Sequence, residues 1–431
     1  MSDRSVRARR WISWGALAVL DQGLISGSNF ALAILLARWS NANEYGAYAV
    51  AFGIFVLVSQ LYQATVLEPM SVFGGSVYHE QLPEYAGILL WIHSILSLGS
   101  VVVFGVGVAI SSFLGATPVL TWCLRALALS SPLVLLMWMA RRAKYLERSP
   151  SLAALGAALY CGIVLGGMVL IRKWYVLSAA TAFVLMGAAA LMTSVVLMLS
   201  SRPVLSLRRN TLSLREVMRR HWEYGRWALG SSLAIWVPNN VFYFIVPAFG
   251  GVAEAASLRA LMNLTLPPGQ TATALQLLLQ PHTAKVHHTR GNGALKSVSM
   301  TIAGVLFVGS LAYWGVLVAF GKPILHALYA GRYDSVTSLM PWLAVGVIAQ
   351  TLNSVPTLGL RALQRPSDVL AAYSAAVVVT LVVGIPLTWR WGVSGVVITM
   401  LISNVTTSLV GARLFNRHLK ATPIIPQEAA A

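Results

Sequence analysis

The sequence predicts an all-α integral membrane fold of about twelve transmembrane helices in two six-helix lobes, with both termini cytoplasmic. Three observations carry this. Of 431 residues, 57% are hydrophobic and only 10% charged, whereas a soluble domain carries about 25% charge. The apolar residues fall in runs of roughly 20, the length that spans a bilayer's hydrocarbon core. The lysines and arginines collect in alternate loops, as the positive-inside rule requires. Soluble enzymes are excluded.

Arg4, Arg7, Arg9 and Arg10 precede the first apolar segment, 13–36. That segment is too long for the apolar core of a signal peptide and lacks a small-x-small cleavage site, so it reads as a retained helix. Segments 46–67, 87–113, 118–140, 151–171 and 175–199 complete an N-terminal lobe, 1–199. A basic cytoplasmic linker follows at 200–226. Segments 227–248, 255–280, 298–320, 336–358, 368–388 and 392–412 then make a C-terminal lobe, 227–420, ahead of a cytoplasmic tail, 421–431. With the N-terminus inside, 23 of the 31 Lys and Arg face the cytoplasm and six face outward, while Arg125 and Arg259 fall within helices. The net charge of +18 is therefore topological and implies no nucleic-acid partner. Cys123 and Cys161 sit inside apolar runs and say nothing of the redox compartment.

The linker carries Arg202, Arg208, Arg209, Arg215, Arg219, Arg220 and Arg226. Its Leu212, Leu214, Val217, Met218 and Trp222 suit an amphipathic helix whose arginines meet anionic headgroups. A purely topogenic linker is the alternative. At an offset of 210 residues, Gly15, Ala18, Ile25, Asn29 and Glu44 match Gly225, Ala228, Ile235, Asn239 and Glu254. This is a faint parallel repeat of the two halves.

No catalytic signature is present, and none for a cofactor or metal. The stretch Gly315 to Gly321-Lys322-Pro323 has one residue too many for a phosphate loop, and Pro323 stands where Ser or Thr would hold magnesium. His282, His287 and His288 share a basic loop without Cys or carboxylate partners for zinc. The chain reads as a non-enzyme.

Polarity inside the membrane remains, which is costly and faces cavities or other helices. In the first segment, Gln22, Ser26 and Asn29 form one stripe bordered by Asp21, about 12 Å from the cytoplasmic end. Asp21 is a candidate for proton or cation coupling, with interhelical hydrogen bonding the alternative. In the eighth segment, Arg259, Asn263 and Gln270 share a face, and Pro267-Pro268-Gly269 interrupts the helix near mid-membrane. Proline removes a backbone donor, which is tolerable at that depth only against protein or a watery cavity. Pro238-Asn239-Asn240 repeats the theme in the seventh segment, and Gln350, Asn353 and Pro356 repeat it in the tenth. Broken helices near the midplane point to a transport site, against simple packing kinks. Arg125 and Arg259 either snorkel to the outer interface or offer bidentate forks to phosphate. Trp11, Trp14, Trp39, Trp389 and Trp391 read as interfacial belt residues.

Several stretches resemble the polysaccharide-exporter branch of the multidrug/oligosaccharidyl-lipid/polysaccharide (MOP) flippase superfamily. They are Asp21-Gln22-Gly23, Gly27-Ser28-Asn29-Phe30, Glu44-Tyr45-Gly46-Ala47-Tyr48, Glu68-Pro69-Met70 and Tyr224-Gly225-Arg226-Trp227-Ala228. The resemblance covers the whole chain in helix count and spacing. It implies a multi-pass protein of the bacterial cytoplasmic membrane, with a MATE-like fold, that flips undecaprenyl-pyrophosphate-linked oligosaccharide by alternating access. Membrane lipids, the lipid-linked glycan and a glycan polymerase or assembly machinery are the partners it implies. Arg259 with Arg125 would then bind phosphate, Asn29, Asn239, Asn240, Asn263 and Gln270 the sugar, and Asp21 would couple an ion. A cation-coupled drug or metabolite antiporter on the same fold is the alternative within transport. A membrane-embedded glycan polymerase or glycosyltransferase, or an assembly scaffold, is the alternative outside it.

Overall fold

The computed structural model describes residues 3–115, 117–200, 212–363 and 365–421. Arg202, Arg208, Arg209 and the 422–431 tail lie outside the described residues, as do the side chains of Arg4, Arg7, Arg9, Arg10, Trp11 and Trp14. Every described element is helical. Ten helical segments among the described residues are long and apolar enough to cross a membrane, and the chain is a multi-pass membrane protein. It divides into two compact units, Met1–Ser232 and Leu233–Ala431.

The first unit opens with α1 (Asp3–Trp39) and α2 (Ala42–Tyr62), the latter running through a π-helical turn, Gln63–Leu67, into α3 (Glu68–Gly74). Then come α4 (Leu82–Phe113), α5 (Pro118–Leu146), α6 (Pro150–Trp174), α7 (Ala179–Leu199) and the start of α8 (Leu214–Asn240). Proline stands in the first turn of α4, α5 and α6, where its missing N–H costs nothing and its fixed φ favours the helix. Asn41 caps α2 by accepting from the Glu44 N–H at 2.9 Å, and Ser178 caps α7 through the Thr181 N–H at 3.1 Å. Small residues bring the helices close, as membrane packing requires. A Cβ on Gly187 of α7 would collide with Ser130 of α5.

The π-helical turn has a cause in the sequence. Pro69 has no N–H for the carbonyl four residues back, at Thr65. His221 of α8 supplies the donor, with Nδ1 3.0 Å from the Thr65 oxygen. Its Nε2 lies 2.7 Å from the Tyr85 hydroxyl. Burial pushes the His221 imidazole below its ordinary pKa, with the Thr65 bond pulling the other way. Gly225 completes the contact, since a Cβ there would sit 3.0 Å from the Ala64 carbonyl. The arginine-rich segment is therefore helical from Leu214 and clamped to the π-helical turn and to α4.

The second unit holds the rest of α8, α9 (Phe242–Gly250), α10 (Val252–Asn263), α11 (Leu266–Ala319) and α12 (Gly321–Tyr329). It continues with α13 (Met340–Leu352), α14 (Ser354–Ala362), α15 (Pro366–Val382) and α16 (Gly384–Ala421). Two of these helices are bent at glycines in the left-handed region. Gly291 (φ 74°) divides α11, and Gly392 (φ 53°) divides α16. With those bends counted, the eighth span is α10 plus 266–290, and the ninth is 292–319. The eleventh span turns back at Gly392, where Gly395 lies so close to the Leu387 backbone that a Cβ would collide with it.

The two units repeat one joint. Glu44, at the start of α2, accepts the Ala179 N–H at the start of α7 at 2.7 Å. Glu254, at the start of α10, lies against Gly392, where a Cβ would come within 3.1 Å of its Oε2. In each half, an acid opening the second span reaches the start of the sixth.

Candidate functional site

Helix 1 places Asp21 in a buried ionic cluster of the first unit. Arg141 of α5 donates from Nε to Asp21 Oδ1 at 2.9 Å, and its Nη2 lies 2.6 Å from the same oxygen. The Tyr145 hydroxyl donates to Oδ2 at 2.7 Å. Both carboxylate oxygens are engaged, and Asp21 is only 3% exposed. Charge-assisted bonds of this kind are the strong ones. Eight residues along α1, Asn29 accepts from the Tyr160 hydroxyl of α6 at 3.4 Å. Asn29 is half-buried. Arg125 belongs to the same unit but not to this cluster. Its side chain is exposed, with the guanidinium 4.9 Å from the Trp122 ring centroid.

The sequence reading missed Arg141 and Tyr145. Its fourth segment ended at 140, and the basic residues beyond were counted as loop charge, whereas α5 runs on to Leu146. The available signal was their spacing. Residues at i and i+4 share one helix face, so Arg141 and Tyr145 present a cation and a hydroxyl together.

In the second unit the break in the eighth span falls at Leu264–Thr265, just ahead of Pro267 and Pro268. The two prolines open α11 instead of interrupting it. Their missing N–H groups and the tightened turn leave carbonyls without helical donors, and aromatic hydroxyls serve them. Tyr313 donates to the Leu264 oxygen at 2.8 Å, and Tyr329 donates to the Ala260 oxygen at 3.1 Å. Asn263 Nδ2 donates to the Tyr329 oxygen at 3.2 Å. Asn263 is wholly buried, and this bond holds the break together. Arg259, one helical turn earlier, is 9% exposed and lies over the Tyr243 ring at 5.7 Å. Gln270 is exposed on α11.

Tyr329→Phe removes the hydroxyl that joins Asn263 to the Ala260 carbonyl. The expected result is a loss of about 1–3 kcal/mol, seen as a lower midpoint in thermal unfolding of the detergent-solubilised protein. An unchanged midpoint would show that the break is not held there.

A second polar locus surrounds Pro238. Asn239 donates to the Ile235 oxygen at 2.7 Å and accepts from Gln350 at 3.2 Å. Asn240 donates to the Trp236 oxygen at 3.2 Å. Asn239 and Gln350 line a small cavity with Asn353, Tyr373, Asn404 and Thr407. Its lining holds no charged side chain, and the buried Asn353 Oδ1 has no hydrogen-bond partner. The cavity can both donate and accept hydrogen bonds without net charge. Tyr373, Asn404 and Thr407 escaped the sequence reading, although Asn404 and Thr407 stand at i and i+3 on one face.

No family model matches the sequence, and no curated protein is similar to it. Solved structures are similar in fold. A multidrug resistance MATE family transporter of the MOP superfamily, in its inward-facing conformation, superposes with a TM-score of 0.76 at 16% identity. The alignment covers 93% of this chain and 95% of that one. A MOP superfamily transporter from Pyrococcus furiosus gives 0.69 at 15% identity over 96% of both chains. That protein is described as having a binding pocket of reverse polarity that suggests a different function. A MATE family transporter in an outward-facing conformation gives 0.67 at 15% identity, again over 96% of both. The two compact helical units and their broken spans thus have the fold of the MATE transporters of the MOP superfamily.

Proposed function

We propose that this protein is a secondary transporter that flips a lipid-linked oligosaccharide, of the undecaprenyl-pyrophosphate type, across the bacterial cytoplasmic membrane by alternating access. The observation that supports this most is the character of its membrane-embedded polar groups. They include carboxamides, hydroxyls and the buried Arg259, while the carboxylate of Asp21 is committed to Arg141 and Tyr145 and the buried imidazole of His93 to Tyr62 and Ser97. Such a set suits a hydroxyl-rich, anionic amphiphile better than an organic cation. The neighbour of reverse pocket polarity indicates that the fold is not tied to one charge of substrate.

In this reading Arg259 takes the phosphate, and Arg125 is a second candidate contact for it. Asn29, Asn239, Asn240 and Gln270 meet sugar hydroxyls, and Asn263 positions the broken helix beside Arg259. Asp21 couples transport to an ion by exchanging its bond to Arg141 for a proton. The rival reading is a cation-coupled antiporter, favoured by the description of neighbouring structures as multidrug transporters.

Reconstitution separates the two. Protein in liposomes would be given a fluorescent undecaprenyl-pyrophosphate oligosaccharide, and its appearance in the opposite leaflet read with a membrane-impermeant quencher. Wild type should flip it, and Arg259→Ala should slow flipping about ten- to a hundredfold, the worth of a hydrogen bond to a charged group. Asp21→Asn should keep flipping but lose its response to a proton gradient. Folded protein that moves no lipid yet exchanges a cationic dye for protons would establish the antiporter instead.

A further inference from the structure

The segment Leu214–Arg226 of α8 carries a surface that transport does not explain. At about 100° per residue around a helix, Val217, His221 and Gly225 fall on one side, and all three are buried. His221 and Gly225 fix that side to Thr65, Tyr85 and Ala64. The next strip round the helix is Leu214, Met218 and Trp222, exposed by 41%, 43% and 58%. Beyond it lies a strip of exposed arginines, Arg215, Arg219 and Arg226. The apolar strip ends ten residues before the apolar stretch that begins at Ser232, so it lies outside the part of α8 that is apolar enough to cross the membrane. The clamp holds it beside Thr65 and Tyr85, nine residues before the end of one apolar span and three after the start of the next.

We propose that this double strip is a docking surface for anionic phospholipid of the leaflet on the arginine-rich side. Trp222 and Met218 lie against the acyl-headgroup boundary, where indole rings prefer to sit. The arginines beside them pair with the lipid phosphate and its negative surface potential. Charge complementarity selects the occupant, since four arginines on Leu214–Arg226 face two glutamates, Glu216 and Glu223. The glutamates engage Arg220 at 2.8 Å and, more loosely, Arg219 at 3.9 Å. Because the buried side of the helix is clamped, an anionic leaflet holds in place the segment from which the rest of α8 departs.

The test uses the full chain in mixed vesicles of phosphatidylcholine and phosphatidylglycerol, with retained lipid counted by native mass spectrometry. Wild type should retain phosphatidylglycerol in preference to phosphatidylcholine. Arg215→Gln with Arg219→Gln should weaken that preference about fivefold per arginine removed, and Trp222→Ala should weaken retention of both lipids. If the double variant fails to fold, a salt titration of wild type replaces it, and the preference should fall as added salt screens the surface. Equal retention of both lipids by wild type, or an undiminished preference in the folded double variant, would overturn the proposal and leave the strip to a protein partner. None of these outcomes depends on the identity of the transported substrate.

Discussion

Arg141→Met is expected to destabilise the protein by roughly 3–5 kcal/mol, the cost of stripping one partner from a buried ion pair. The magnitude comes from what is left behind. Asp21, 3% exposed, would keep the Tyr145 hydroxyl alone against the loss of two bonds from Arg141. Replacing both members removes the stranded charge, so Asp21→Asn with Arg141→Met should recover most of the loss. Apolar replacements of whole buried pairs are often neutral. Arg141→Lys should fall between, since an ammonium keeps the charge but loses the planar fork. Unfolding midpoints of the four proteins in one detergent decide it. A double variant no better than the single would mean that Arg141 acts through packing and not through Asp21.

Gly395→Ala should be comparably severe, costing about 3 kcal/mol or more. The turn at Gly392 folds the chain back so that Gly395 meets the Leu387 carbonyl and the Thr388 nitrogen. Both are backbone atoms and cannot rotate aside as a side chain would. The matched control is Gly309→Ala, where a Cβ would have nothing within 4 Å. There the better helix propensity of alanine should help by about 1 kcal/mol. The two variants should therefore move the melting temperature and the monodisperse yield in opposite directions. Indistinguishable profiles would remove the close approach at Gly395 as a determinant of the fold.

The spans were legible because a membrane helix must be an apolar run of fixed length, and nearly every run became one. Helix ends were less so. The 140 boundary followed the apolar pattern, but Arg141, Arg142 and Lys144 remain helical in α5, with the Lys144 side chain almost fully buried. Positive charge that looks topogenic in a sequence can be structural once a carboxylate stands opposite, and no local pattern links residue 21 to residue 141. The breaks were visible from Pro238, Pro267 and Pro356, since proline writes its missing donor directly into the sequence. What repairs them was not visible. Tyr313 lies 49 residues from the carbonyl it serves, and Tyr329 lies 69 residues away. Of the site residues expected from sequence, the fold joins Arg259 and Asn263 to one broken helix and leaves Arg125 and Gln270 exposed on other elements. Asn239 was visible through its proline, whereas Tyr373 and Asn404 reach the same cavity from positions with no proline beside them.

The repeated acid at Glu44 and Glu254 also determines how damage spreads. Each carboxylate reaches the start of the last span of its own half, so each half carries such a fastening itself. A lesion at Glu44 loosens the α7 end of its own bundle, and a lesion at Glu254 loosens the turn at Gly392 in α16. Each acid is therefore a point at which its own half can be unfastened without any change to its apolar spans.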